Sequence, residues 1–306
     1  SFVMKTRYLS FLLIAFGLIS FSSSAQDEAP LLGLPGDDLD LYAVLDVFQQ
    51  SKTIEAFEKS LNDADSKLVN LDLNNDGKVD FITVVTEQDG DDFLFILQDA
   101  VSKDETQDVA VISVAKDDAG EISMQIIGDE KLYGKDYIIE PATKTSDSVT
   151  ANPAYSGSDP VTENVTATTE VIVVQSAPVV QYVYSPVYVP YYPTYYYGFY
   201  PVWWRPWAVI SIGIYRSNHY HYHSRYYGGY RGNVNININN RTTYNRYNNN
   251  SRRTSNTVNR NIQNGNFRTS GQRGSRPSTA QNRRANGAST NNRRATTTGS
   301  NRASTT

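Results

Sequence analysis

The chain contains no cysteine. That absence excludes a disulfide framework, a thiolate metal site, a cysteine nucleophile and the lipidated cysteine that tethers many exported bacterial proteins. Histidine is nearly as scarce, with all three copies at His219, His221 and His223. Residues 38–142 therefore have neither histidine nor arginine, and any acid–base chemistry there would fall to carboxylates. Paired catalytic carboxylates need surroundings that push their pKa values apart. Asp89, Asp91, Asp92, Asp117 and Asp118 occupy expected turn tips, where solvation keeps them ordinary. The sequence thus reads as a binding or scaffolding module with no catalytic residues, a carboxylate hydrolase being the enzymatic alternative.

Acidic residues are missing from the whole C-terminal side. All 32 lie between Asp27 and Glu170, where nine lysines leave a net charge of −23; seventeen arginines from Arg205 to Arg302 give the C-terminal side +17, and Lys5 and Arg7 add +2. The formal net charge of −4 conceals two opposite fields. Such a split means either that the tail folds back on the acidic half or that each half meets a different partner.

At the N-terminal end, Met4-Lys-Thr-Arg7, the apolar LSFLLIAFGLISF and the small residues SSSA have the layout of a secretory signal peptide over residues 1–25. The apolar run is shorter than the roughly 20 residues of a membrane span, so no span is expected in the mature chain. A secreted, periplasmic or outer-envelope location follows. Residues 26–37 form a Pro/Gly-containing lead-in.

Residues 38–142 read as an acidic α+β domain. Leu39, Tyr42, Leu45 and Phe48, then Ile54, Phe57 and Leu61, recur at helical spacing and predict two amphipathic helices. A short strand is expected at Lys67–Leu71. From Val79 on, apolar runs alternate with Asp/Gly turns, which predicts an antiparallel meander of about five strands.

Between helices and meander lies LDLNNDGKVDFITVV, Leu71–Val85. Oxygen-bearing side chains recur at Asp72, Asn74, Asp76 and Asp80 about Gly77, and Lys78 is placed to offer its backbone carbonyl. Ca²⁺ takes roughly six to eight oxygens, and this spacing supplies most of them. Asn-Asp-Gly is also a tight-turn signature, so an ion-free turn is the competing reading. The stretch D72-x-N74-x-D76-G77-x-x-D80 resembles the calcium loops of EF-hand proteins, dockerins and β-flanked integrin-type repeats. Two departures stand out: Thr83 occupies the position where an EF-hand has its bidentate Glu, implying weak binding, and the β-branched run after Val79 favours the β-flanked version. The resemblance covers about fifteen residues.

Residues 143–170 are Ser/Thr/Pro-rich and read as a linker. Residues 171–232 hold fifteen of the 22 tyrosines, all three tryptophans and frequent prolines, which predicts extended, polyproline-like backbone with its rings outward. Those rings suit sugar faces, a membrane interface or other copies of the chain. The competing reading is a hairpin over PVWWRPWAVISIGIY packed on the acidic domain. On an extended strand His219, His221 and His223 would share one face and could hold Zn²⁺, Cu²⁺ or Ni²⁺, although polar alternation on an exposed strand explains the same spacing.

Residues 233–306 are Asn/Arg-rich and are expected to be disordered, with NVNININN able to ladder between copies. Arginines pair with phosphates and stack on bases, so partners for the tail include anionic polysaccharide, lipopolysaccharide and extracellular DNA, or other copies of the chain. The overall layout resembles exported proteins of Gram-negative bacteria with Tyr/Pro-rich and Asn/Arg-rich tails, a resemblance that implies no reaction.

Overall fold

The computed structural model describes residues 31–141, 173–229 and 238–267. The signal-like residues 1–25, the 143–170 linker and residues 268–306 lie outside them. The α+β class and the antiparallel meander are as expected. Two helices, α1 (Leu41–Gln50) and α2 (Ile54–Leu61), precede a sheet built in sequence order from β1 (Ile82–Asp89), β2 (Asp92–Asp99), β3 (Gln107–Lys116), β4 (Ile122–Gly128), β5 (Ile138–Pro141) and β6 (Tyr226–Gly229). A single turn, α3 (Glu130–Tyr133), joins β4 to β5.

Local chemistry sets the helix starts. Asp40 accepts the Tyr42 N–H at 3.0 Å and Thr53 accepts the Ala56 N–H at 3.1 Å, each satisfying a donor that the first helical turn leaves open. The apolar stripe of α1, with Leu41, Val44, Leu45 and Phe48 fully buried, packs on one face of the sheet with Phe57 of α2. Alternate residues Phe93, Phe95 and Leu97 of β2 and Ile112 and Val114 of β3 belong to that core.

The alternation in β2 and β3 is apolar on both faces. Leu94, Ile96 and Val111 point the other way and are covered by Tyr244 and Tyr247 of α6 (Ile238–Asn250). Residues 238–267 were expected to be without regular structure, yet they form α6 and α7 (Asn256–Gln263). The reason is tertiary: the two tyrosines one turn apart cap a sheet face that would otherwise be open, and the buried Val258 anchors α7 in the main core. A sheet this apolar on both sides needs two covers.

Two further expectations change. Lys67–Leu71 makes only a single bridge, Val69 to Leu39, instead of a strand, and β1 begins at Ile82, three residues after Val79. The aromatic stretch meets its expectation only in part: between Tyr184 and Ser211 there is no helix and Tyr192, Tyr196 and Phe199 face outward, whereas Trp204 and Tyr215 are buried, its two ends are helical, and no hairpin forms over the tryptophans. Pro178 opens α4 (Pro178–Val183), where a missing N–H costs nothing, and Val179, Val180 and Val183 join the core. Helix α5 (Ile212–His219) follows, and β6 then pairs antiparallel with β5, so residues 173–229 belong to the same core as the acidic residues. No helix among the described residues is long and apolar enough to cross a membrane.

Candidate cation loop and its surroundings

The loop connecting α2 to β1 curls because Asn75 (φ 63°) and Gly77 (φ 88°) both take left-handed backbone, which asparagine tolerates and glycine adopts without strain. The curl gathers the side chains named from the sequence. Asp72 accepts the N–H groups of Asp76 and Gly77, both at 2.9 Å, through separate oxygens. Asn74 Oδ1 also accepts the Asp76 N–H, at 2.8 Å, and Asp76 Oδ1 accepts that of Lys78 at 2.8 Å. Asp80 closes the loop from the far end, taking the Leu73 N–H at 2.6 Å on one oxygen and the Asn74 side-chain amide at 3.0 Å on the other.

The carboxylates thus face backbone donors. Among the described residues no three His, Cys, Asp or Glu side chains stand placed around one point to hold a metal ion. An ionised carboxylate has about four lone-pair sites, so an oxygen engaged by one N–H keeps acceptor capacity. Asp72 and Asn74 are half-buried and Asp76 is exposed, which leaves the loop side open, while Asp80 is buried. The donors are hard oxygens of the kind that suit Ca²⁺.

A residue that the sequence reading did not single out lies beneath. Asp99, the last residue of β2, pairs with Ile82 and is only 1% exposed. Its carboxyl shares a hydrogen bond with that of Asp80, and burial together with Asp80 pushes it well above the usual carboxylate range. Asp80 itself is pushed up to about 7, by burial first and then by the charges of Asp72 and Asp76, against the Leu73 N–H and the hydrogen bond from Asp99. Asp99 Oδ2 is buried with no hydrogen-bond partner. Thr83, where an EF-hand has its closing Glu, instead donates its hydroxyl to the Gln98 carbonyl at 3.2 Å. Only strand pairing reveals Asp99, because it stands far along the chain from the loop motif.

The aromatic stretch meets the loop directly. The Val79 N–H donates to the Trp207 carbonyl at 2.8 Å, and Lys78 and Ala208 form an antiparallel bridge. Phe81, two residues on, lies under Tyr195, Tyr200, Trp203 and Trp204, with centroid distances of 5.2–6.1 Å. Buried Glu58 accepts the Val84 N–H and the Tyr191 hydroxyl, both at 2.8 Å, and Tyr191 meets Tyr195 at 2.6 Å. On this anchored base Val187, Val189, Tyr192, Tyr196, Phe199 and Val202 face solvent, Val202 at 90% exposure.

The histidine reading rested on an extended strand, and the backbone there is helical instead: His219 ends α5, and residues 220–225 continue as a 3-10 helix. The buried His219 places Nδ1 2.8 Å from the Tyr215 carbonyl, and burial lowers its pKa. His221 packs on Tyr222, whereas His223 stacks on Tyr42 with Nε2 2.8 Å from Asp40. The three imidazoles therefore do not line one strand face. The physical cause is Tyr215, a fully buried residue whose hydroxyl donates to the Leu68 carbonyl and accepts the Asp40 N–H. That anchor seats the helix running into the histidines.

Three of the described arginines pair with acids: Arg225 with Asp46, Arg246 with Asp89 at the surface, and Arg252 with Asp129, whose side chain is 2% exposed. Buried Asp108 accepts from the Tyr247 hydroxyl at 2.6 Å, the Gln98 amide at 2.7 Å and the Arg253 N–H at 2.9 Å. Of the two readings of the charge split, folding back holds for residues 238–267. A cavity of about 260 Å³ lies between the sheet and α6, bordered by Asp108, Lys135, Tyr244 and Arg252. Comparison of the chain with protein-family models, with curated proteins and with solved structures finds no match in any of the three.

Proposed function

We propose that the chain is an exported, non-catalytic interaction module of the cell envelope or matrix, braced by Ca²⁺ at the loop. Asp72, Asn74, Asp76 and Asp80, with the Lys78 carbonyl, would hold the ion, which supplies charge neutralisation and cross-linking and no reaction chemistry. The observation that carries this reading is the left-handed curl at Asn75 and Gly77, which gathers four oxygen-bearing side chains where the aromatic stretch is pinned.

The interaction surface has two parts. One is the outward row of Tyr192, Tyr196 and Phe199, suited to stacking on sugars or on another copy. The other is the run of eight arginines from Arg268 to Arg302, which has no acid among them. Arg252 is engaged by buried Asp129, whereas Arg253 and Arg260 are exposed, so binding to anionic polysaccharide, lipopolysaccharide or extracellular DNA would draw on that run together with these exposed arginines. The full-length protein retained on immobilised lipopolysaccharide or DNA should elute as salt rises, since counterion release weakens such contacts. Retention indifferent to salt, or none at low salt, counts against this function. A carboxylate hydrolase finds less support: Asp80 and Asp99 face one another, but both are closed off from solvent.

A further inference from the structure

Resting on the calcium reading above, we infer that Asp99 is a further ligand of the same ion, contributed across the sheet in place of the closing acid that the loop lacks. The loop motif ends without a clamp, Thr83 being turned to the Gln98 carbonyl. The strand register sets Asp99 opposite Ile82, two residues beyond Asp80, so a carboxylate stands at the floor of the loop where the chain's own continuation provides none.

Burying a carboxylate with an empty oxygen is costly, and such groups normally gain a donor or a cation. Asp99 has neither on Oδ2, and it is only 1% exposed beneath the loop. A divalent ion resolves the arrangement, because one positive centre serves Asp80 and Asp99 together and draws on Asp72, Asn74 and Asp76 from the open side. Five side chains and the Lys78 carbonyl then make six oxygen-bearing groups, within the range Ca²⁺ requires and matched to its flexible geometry. The site is thus assembled from loop and sheet, and ion binding locks the foot of β2 to the loop.

The test is isothermal titration of Ca²⁺ into the wild-type protein and the Asp99→Asn and Asp72→Asn variants, with melting temperature measured in EDTA. Asp99→Asn should weaken binding at least tenfold, about as much as Asp72→Asn, while melting in EDTA no lower than wild type. Ca²⁺ affinity within twofold of wild type in Asp99→Asn overturns the assignment of Asp99 and leaves the loop site standing. A wild-type chain that takes up no Ca²⁺ overturns both. Should Asp99→Asn fail to fold, the ¹³Cγ resonance of Asp99 in the wild-type protein decides the matter: it must move with Ca²⁺ titration, and an unmoved resonance with a responding Asp72 rejects the proposal.

Discussion

The N–H of Val79 donates to the carbonyl of Trp207 at 2.8 Å, tying the oxygen-lined loop to the aromatic stretch. Two residues further on, Phe81 forms the floor beneath Trp203 and Trp204. Loop order and tryptophan environment are therefore linked through a few covalent bonds. Removing Ca²⁺ with EDTA should red-shift and broaden tryptophan emission, and Phe81→Ala should do the same in Ca²⁺ while costing about 3–4 kcal/mol of stability. Emission that ignores EDTA would separate the loop from the aromatic stretch.

Several buried carboxyls share one direction of shift. Burial raises Asp37, Glu58, Asp80, Asp99 and Asp108, with Asp80 reaching about 7 from 3.8. A raised folded-state pKa means that the folded chain holds protons the unfolded chain has released. Stability is then full below the unfolded value and is lost as pH rises through the folded one. For Asp80 that window runs from about 4 to about 7. Metal-free protein should melt several degrees lower at pH 8 than at pH 5, and saturating Ca²⁺ should flatten the dependence by taking the place of the protons. A melting temperature that climbs with pH in EDTA would contradict this.

Asp129 is buried and its charge is met by Arg252. Arg252→Met strands that carboxylate and should cost about 3 kcal/mol in urea unfolding. Pairing the change with Asp129→Asn should recover much of the loss, because the stranded charge is then gone. Equal losses in the single and double variants would show that the ion pair is not what holds α6 down.

Tyr133 lies against two glycines, and its hydroxyl donates to the Leu39 carbonyl at 2.9 Å. A Cβ at Gly36 or at Gly128 would stand 2.6 Å from its ring. Either Gly→Ala change should destabilise by about 1–3 kcal/mol through overpacking, read from the shift in denaturation midpoint. A neutral Gly128→Ala would mean that the ring can move aside; at Gly36 the Leu132 carbonyl, 2.5 Å from the added Cβ, would have to give as well.

The helices and the meander were legible because their signals are periodic: α1 and α2 carry apolar residues at helical spacing, and Asp/Gly turns separate the strands. The loop residues were legible as a motif. Asp99 was not, since its proximity to Asp80 arises from strand register and not from spacing along the chain. The helix α6 was hidden for a different reason: its docking face is Tyr244 and Tyr247 within an Asn/Arg-rich run, and only the exposed apolar face of β2 and β3 gives that pair something to cover. A clue was present in FLFILQ and VAVISVA, whose unbroken apolar character called for cover on both sides. The histidines misled because period two was read as a strand, whereas the Tyr215 anchor seats the helix that leads into them.

Melting temperature in millimolar Ca²⁺ against EDTA, on the full-length protein at neutral pH, tests the central claim most directly. An ion held at a hundredfold excess over its dissociation constant stabilises by about 2.7 kcal/mol, which for a domain of this size raises the melting temperature by about 5 °C or more. The account predicts that rise, and its loss in Asp72→Asn. Identical melting curves in Ca²⁺ and EDTA would contradict it.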